Sequence, residues 1–173
     1  MTADTTIVAG IEIPSVSRVF LTVVGIHVLL GIACVITGLL AMCSKKRRGR
    51  HPQFGTIYYW CLSAAFATST FLSAMRWTAD YHLLILGALS FTAAFVGRMA
   101  RRQGSIRLHI GGMGLSYILL LTAFYVDNGH SLPLWKELPS IAYWLLPSVF
   151  GIPLIVRALL RHPLSRRPTH TAT

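Results

Sequence analysis

The residues of this chain that could do chemistry are its histidines. His27 interrupts an apolar run from Val19 to Cys43, about 12 Å below the start of that run at 1.5 Å per helical residue. An ionisable side chain at that depth is a functional candidate by default. The competing reading is a neutral imidazole hydrogen-bonded to a Ser, Thr or carbonyl of a neighbouring helix. His51 and His109 each open an apolar run just after a basic cluster, so they share a depth, whereas His82 and His130 belong to the opposite ends of the runs. Two histidines on different helices at one depth are what axial ligation of a haem requires, and glycines beside them would give a porphyrin room. On that criterion His51 and His109 are the best-matched pair. His27 and His82 differ by roughly 10 Å in height, counted from the ends of their runs, and match poorly. The candidate cofactor ligands are His51, His109, His27 and His82, as ligands of a haem or a metal; the cofactor itself is not assigned, haem b being one option. No catalytic residue is assigned.

Other chemistry has little foothold. Arg76, Asp80, His82, Asp127, His130 and Glu137 could gather into a polar cluster, but none of them has local ligand spacing such as HxxxH. An ion pair of Arg76 with Asp80 or Asp127 is the simpler use, and no metal site is expected. There is no nucleophile motif, no Walker sequence and no GxGxxG. Cys34, Cys43 and Cys61 lack CxxC spacing and read as small apolar packers.

The elements that must position the histidines follow from composition. With 54% hydrophobic residues, 12% charged residues and a mean hydropathy of +0.60, the chain is an integral membrane protein. Its net charge of +11 would suit nucleic acid only if the basic residues gathered on a soluble face. They lie instead between apolar runs, so no nucleic-acid partner is expected. The stretch KKRRGRHPQFG, Lys45 to Gly55, orients the rest, because a membrane resists the transfer of that much positive charge. Apolar runs are expected to span at 19–43, 54–75, 82–99, 109–126 and 139–157, of which the third is the weakest alone. If all five cross, all but three of the 16 cations fall on one side, and all five acids fall on the other with Arg18, Arg76 and Lys136.

The expected fold is thus all-α: an integral membrane bundle of five transmembrane helices, amino terminus outside and carboxyl terminus cytoplasmic. Residues 1–17 form a short outer segment, 18–160 the five-helix domain and 161–173 a cytoplasmic tail. The amino terminus lacks the charged start of a secretory signal, and its first run ends in a stop-transfer cluster, so it reads as a retained helix. No soluble domain, low-complexity segment or repeat is recognised.

Small residues at helical spacing mark the packing faces. These are Gly31 and Gly38 with His27 in the first helix; Ser63, Ala67, Thr70 and Ala74 in the second; and Gly87, Ser90, Ala94 and Gly97 in the third. The HIGGMG start of the fourth helix, with Gly111, Gly112 and Gly114, implies close approach of a neighbouring helix rather than of a ligand. Pro147 and Pro153 should kink the fifth. Tyr58, Tyr59 and Trp60 on the inside, and Trp77, Tyr81, Tyr125, Trp135, Tyr143 and Trp144 on the outside, read as interface anchors. Leu132, Leu134, Trp135 and Leu138 form a patch that could lie on the membrane or cap the bundle.

At HVLLGIACVITG, KKRRGRHPQFGTIYYW and SIRLHIGGMGLSYILLLTAFYVDNG the chain resembles a family of bacterial predicted membrane proteins known only as a domain of unknown function. The resemblance covers Gly25 to Leu160 and rests on His27 with Gly31 and Gly38, on the basic loop with His51 and Gly55, and on His109 with Met113 and Tyr117. Where the family has an arginine after the second histidine, this chain has Pro52. The resemblance implies a multi-pass protein of the bacterial plasma (inner) membrane and brings no activity. The functional reading is a multi-pass plasma-membrane protein of unknown activity, and the first activity considered for it is that of a histidine-ligated haem protein, or of another redox or proton-transfer membrane protein. A small permease or transporter component and a membrane scaffold or assembly partner are the alternatives. The partners expected are the lipid bilayer and, at the inner face, anionic lipid headgroups. A homo-oligomer or a membrane partner is left open.

Overall fold

A computed structural model describes residues 5–8, 11–14, 18–45, 49–133 and 135–161. Five long helices follow one another: α1 (Arg18–Cys43), α2 (Arg50–Met75), α3 (Trp77–Arg102), α4 (Ile106–Asn128) and α5 (Ser140–Arg161). A short 3-10 turn, Gly129–Ser131, follows α4. The five helices agree with the all-α expectation. Ahead of α1, β1 (Thr5–Val8) pairs antiparallel with β2 (Ile11–Pro14), Thr5 opposite Pro14 and Val8 opposite Ile11. The β-branched residues of TTIV and IEIP favour extended backbone. Lys46–Arg48 of the basic loop, Leu134 of the outer patch and 162–173 of the expected tail lie outside the described residues.

Four helical segments are long and apolar enough to cross a membrane: Arg18–Cys43, Asp80–Arg102, Ile106–Ser131 and Ser140–Arg161. The third run, the weakest in the sequence, belongs to this set because α3 begins at Trp77 and gains a turn before its apolar stretch. The less apolar helix is α2, as long as α1 but carrying Ser63, Thr68, Ser69 and Thr70 beside its aromatic triplet. By contrast α1 is apolar all round and shows Val19 and Leu29 at 60% and 68% exposure, as a lipid-facing helix would.

The described chain divides into two compact units, Met1–Tyr81 and His82–Thr173. In the first, α1 and α2 form an antiparallel pair. Phe20, Cys34 and Ala41 of α1 are buried with Tyr58, Tyr59, Leu62 and Ala65 of α2. The small-residue stripe expected on α2 does not make this seam, since Ala67, Thr70 and Ala74 are exposed. Likewise Tyr58 and Tyr59 are core residues and only Trp60, 62% exposed, remains as an anchor.

In the second unit the expected stripe of α3 is buried at Ser90, Ala94 and Gly97. A Cβ on Gly112 of α4 would lie 2.8 Å from both Ala93 O and Gly97 Cα, so α3 and α4 meet backbone to backbone. On the other side of α4, Gly114 receives Ile155 of α5, and Gly151 of α5 receives Ile118 of α4. The helix-packing reading of HIGGMG therefore holds at Gly112 and Gly114, while Gly111 has nothing within 4 Å. Helix α5 runs unbroken through Pro147 and Pro153.

The pairs α1–α2 and α3–α4 share one pattern of cross-helix bonds. Ala41 O accepts from His51 Nδ1 at 2.8 Å, and seven residues back Cys34 Sγ donates to Tyr58 O at 3.9 Å. In the second unit Gly97 O accepts from His109 Nδ1 at 2.9 Å, and seven residues back Ser90 Oγ donates to Ser116 O at 2.8 Å. Tyr58 and Ser116 each lie seven residues after their histidine. On this register His51–Phe66 and His109–Phe124 align without a gap, sharing His, Tyr59/Tyr117, Leu62/Leu120, Ala65/Ala123 and the final Phe. The two helical hairpins are thus structural repeats, which corrects the expectation of none.

Gly112→Ala should force α3 and α4 apart and cost about 1–3 kcal/mol. Gly111→Ala, with open space at its Cβ, should be neutral or stabilising by up to about 1 kcal/mol. Reversible unfolding of both variants in detergent checks the contrast.

Candidate functional site

Each candidate histidine is half-buried on a helix. His51 is the second residue of α2 and follows Gly49, whose φ of 135° lets the chain turn back from α1. His109 lies in the first turn of α4, reached through Gly104 at φ 81°. These turns bring each ring under the end of the preceding helix, where a main-chain carbonyl takes its Nδ1 proton. A carbonyl can only accept, so Nδ1 carries the hydrogen and, in the neutral imidazole, Nε2 holds the lone pair.

His27 reaches the same state by a different route. Its Nδ1 is 2.8 Å from Thr68 Oγ1, and Thr68 Oγ1 donates its one proton to Ala65 O at 2.9 Å. The hydroxyl must therefore accept from Nδ1–H. The hydrogen bond to a neighbouring helix's Thr, the competing reading of His27 in the sequence, is present. Three of the four candidates thus have a fixed tautomer with Nε2 as the basic nitrogen. The ring of His82 packs tilted against Trp144, with centroids 6.4 Å apart.

Within a unit the histidines do not gather. His27 lies 14 residues from Ala41, the acceptor for His51, and His82 lies 15 from Gly97, the acceptor for His109. At 1.5 Å per residue these separations are about 21 and 22 Å. Each of these two histidines is thus far along its own helix from the carbonyl that anchors the inner histidine of the same hairpin.

Glycines leave room near the rings. A Cβ on Gly31, one turn from His27, or on Gly55, one turn from His51, would meet nothing within 4 Å.

The outer loop packs onto its own unit. Tyr143 Oη donates to Trp135 O at 2.9 Å, Trp135 packs tilted against Tyr125 with centroids 5.2 Å apart, and His130 meets the Tyr143 ring edge-on at 4.9 Å. Tyr143, expected as an interface anchor, is 2% exposed and closes against Gly129. An open groove of about 550 Å³ runs along α5 from Trp135 and Leu138 to Val149 and Phe150. Its lining is wholly apolar and offers a ligand no polar group to recognise. Among the described residues no group of three or more His, Cys, Asp or Glu could hold a metal ion. Cys34, Cys43 and Cys61 are free thiols.

Comparison with known protein families, with characterised proteins and with solved structures gives no match.

Thr68→Val would leave the His27 Nδ1–H without its acceptor at a cost of about 1–3 kcal/mol, whereas Thr68→Ser should retain most of the stability. Unfolding free energies, together with ¹⁵N imidazole shifts reporting which nitrogen is protonated, check both.

Proposed function

We propose that this chain is a multi-pass protein of the bacterial plasma membrane, related to the family it resembles, and that its histidines ligate haem b. The observation that carries the reading is the pair of equivalent bonds from His51 and His109 to the carbonyls of Ala41 and Gly97. Histidines that ligate iron almost always donate their other ring N–H, often to a main-chain carbonyl. That bond fixes the ring and would leave Nε2 as the ligand nitrogen. Arg50 and Arg107 flank these histidines in sequence and would suit the carboxylates of a haem at the inner face. The haem supplies one-electron chemistry, and the chain holds and orients it.

A transport role would draw on a fifth helix broken at Pro147 and Pro153, and α5 runs as one helix through both. A scaffold role has no observation in its favour. The reading includes five spans with the amino terminus outside, α2 among them, because that arrangement alone puts all five acids opposite the basic loops. Anionic lipid headgroups are the proposed partners of those loops.

Purified from haem-supplied cells in mild detergent, the protein should give a reduced-minus-oxidised spectrum with a shifted Soret band and sharp α and β bands. His51→Ala or His109→Ala should reduce or abolish it, and a flat wild-type spectrum overturns the haem reading. For topology, a membrane-impermeant maleimide should reach Cys43 only from the cytoplasmic side and Lys136→Cys only from the outside. Cytoplasmic labelling of Lys136→Cys would remove α2 from the spans.

A further inference from the structure

The groove along α5 lies on the face of that helix turned away from α4. Ala142, Leu145, Leu146, Val149 and Phe150, spaced by three and four, line it along one side of the helix. On the other side Tyr143, Gly151 and Ile155 meet Gly129, Ile118 and Gly114. From Ala142 to Phe150 the groove descends about 12 Å at 1.5 Å per residue, most of one leaflet of a hydrocarbon core about 30 Å thick.

Its walls offer only apolar contact, but its mouth is charged. Trp135 and Leu138 line the groove there, and Leu138 N donates to Trp135 O at 2.9 Å, closing a turn with Lys136 and Glu137 at its centre. Tyr143 Oη donates to the same carbonyl and pins that turn to α5. Both charged residues are exposed. We propose that the groove holds one acyl chain of a phosphatidylethanolamine, whose phosphate meets Lys136 and whose ammonium meets Glu137. An apolar slot with a single charged end fits an amphiphile, and a cation beside an anion fits a zwitterionic head better than an anionic one. A primary ammonium also has N–H groups to give a carboxylate, which the quaternary ammonium of phosphatidylcholine lacks. This goes beyond the haem reading and is independent of it. It needs only that α5 lie in a membrane, for which its length and apolar composition suffice.

The test uses the full-length protein in mild detergent, titrated with phosphatidylethanolamine, phosphatidylglycerol or phosphatidylcholine carrying brominated acyl chains, which quench nearby tryptophan fluorescence. Subtracting the signal of Trp135→Phe isolates Trp135 from the other tryptophans. Quenching by phosphatidylethanolamine should saturate, and the other two lipids should need about fivefold higher concentrations, the factor that one charge near a membrane surface contributes. Lys136→Gln should weaken phosphatidylethanolamine about fivefold on the same basis, and Glu137→Gln should erase its advantage over phosphatidylglycerol. Ala142→Phe, which fills the open groove, should abolish saturable quenching and leave the melting temperature unchanged. Quenching that is equal for the three lipids, or that survives Ala142→Phe, overturns the proposal. So does a dimer in the same detergent that Ala142→Phe converts to monomer, because a second copy then covers the groove. Should Ala142→Phe fail to fold, the headgroup preference and its loss in the two charge variants decide.

Discussion

A polar hydrogen placed in hydrocarbon must be given to an acceptor, and main-chain carbonyls are the acceptors a helical membrane protein always has. Much of this structure follows from that constraint. Thr37, Ser63, Thr70 and Thr122 donate to the carbonyl four residues back on their own helices. Cys34, His51, Ser90 and His109 donate instead to carbonyls of the neighbouring helix. Among the described residues no buried side-chain nitrogen or oxygen is left without a partner. The cross-helix bonds also set register. Carbonyls recur with the 5.4 Å pitch, so a hairpin cannot slip by part of a turn without breaking both of its bonds at once.

The five helices were legible because long apolar runs separated by basic clusters leave few alternatives. The faces they present were harder to read. Small residues marked the buried side of α3 correctly, where Gly97 meets Gly112, but misled on α2, where Tyr58, Tyr59 and Leu62 make the seam. The reason is the type of packing. α3 and α4 touch backbone to backbone and need glycine and alanine, whereas α1 and α2 fill their seam with large rings. Tyr143 looked like an anchor because aromatic residues near a run's end usually are, and only the position of Trp135 O made it a core residue.

The repeat was invisible for a physical reason too. The acceptors that define it are the carbonyls of Ala41 and Gly97, and of Tyr58 and Ser116, and every residue type has such a carbonyl. Cys34 and Ser90 donate equivalent bonds with different atoms. What survives in the letters is little more than a histidine and a tyrosine eight residues later, His51 with Tyr59 and His109 with Tyr117. The glycines of α4 show the converse. Gly112 and Gly114 are two residues apart and so point to opposite sides of the helix, one towards α3 and one towards α5.

The contact between α4 and α5 is built from two pegs and two notches, Ile118 in Gly151 and Ile155 in Gly114. Each peg lies four residues from the notch on its own helix, and the helices run antiparallel, so the two contacts are interchangeable by a half-turn. Mutational tolerance at these four positions is therefore pairwise. A methyl group added in a notch has room only if its peg is shortened, so drift can proceed through matched exchanges such as alanine for Gly114 with valine for Ile155. A lineage that changed one member alone would pass through a form in which α5 no longer seats.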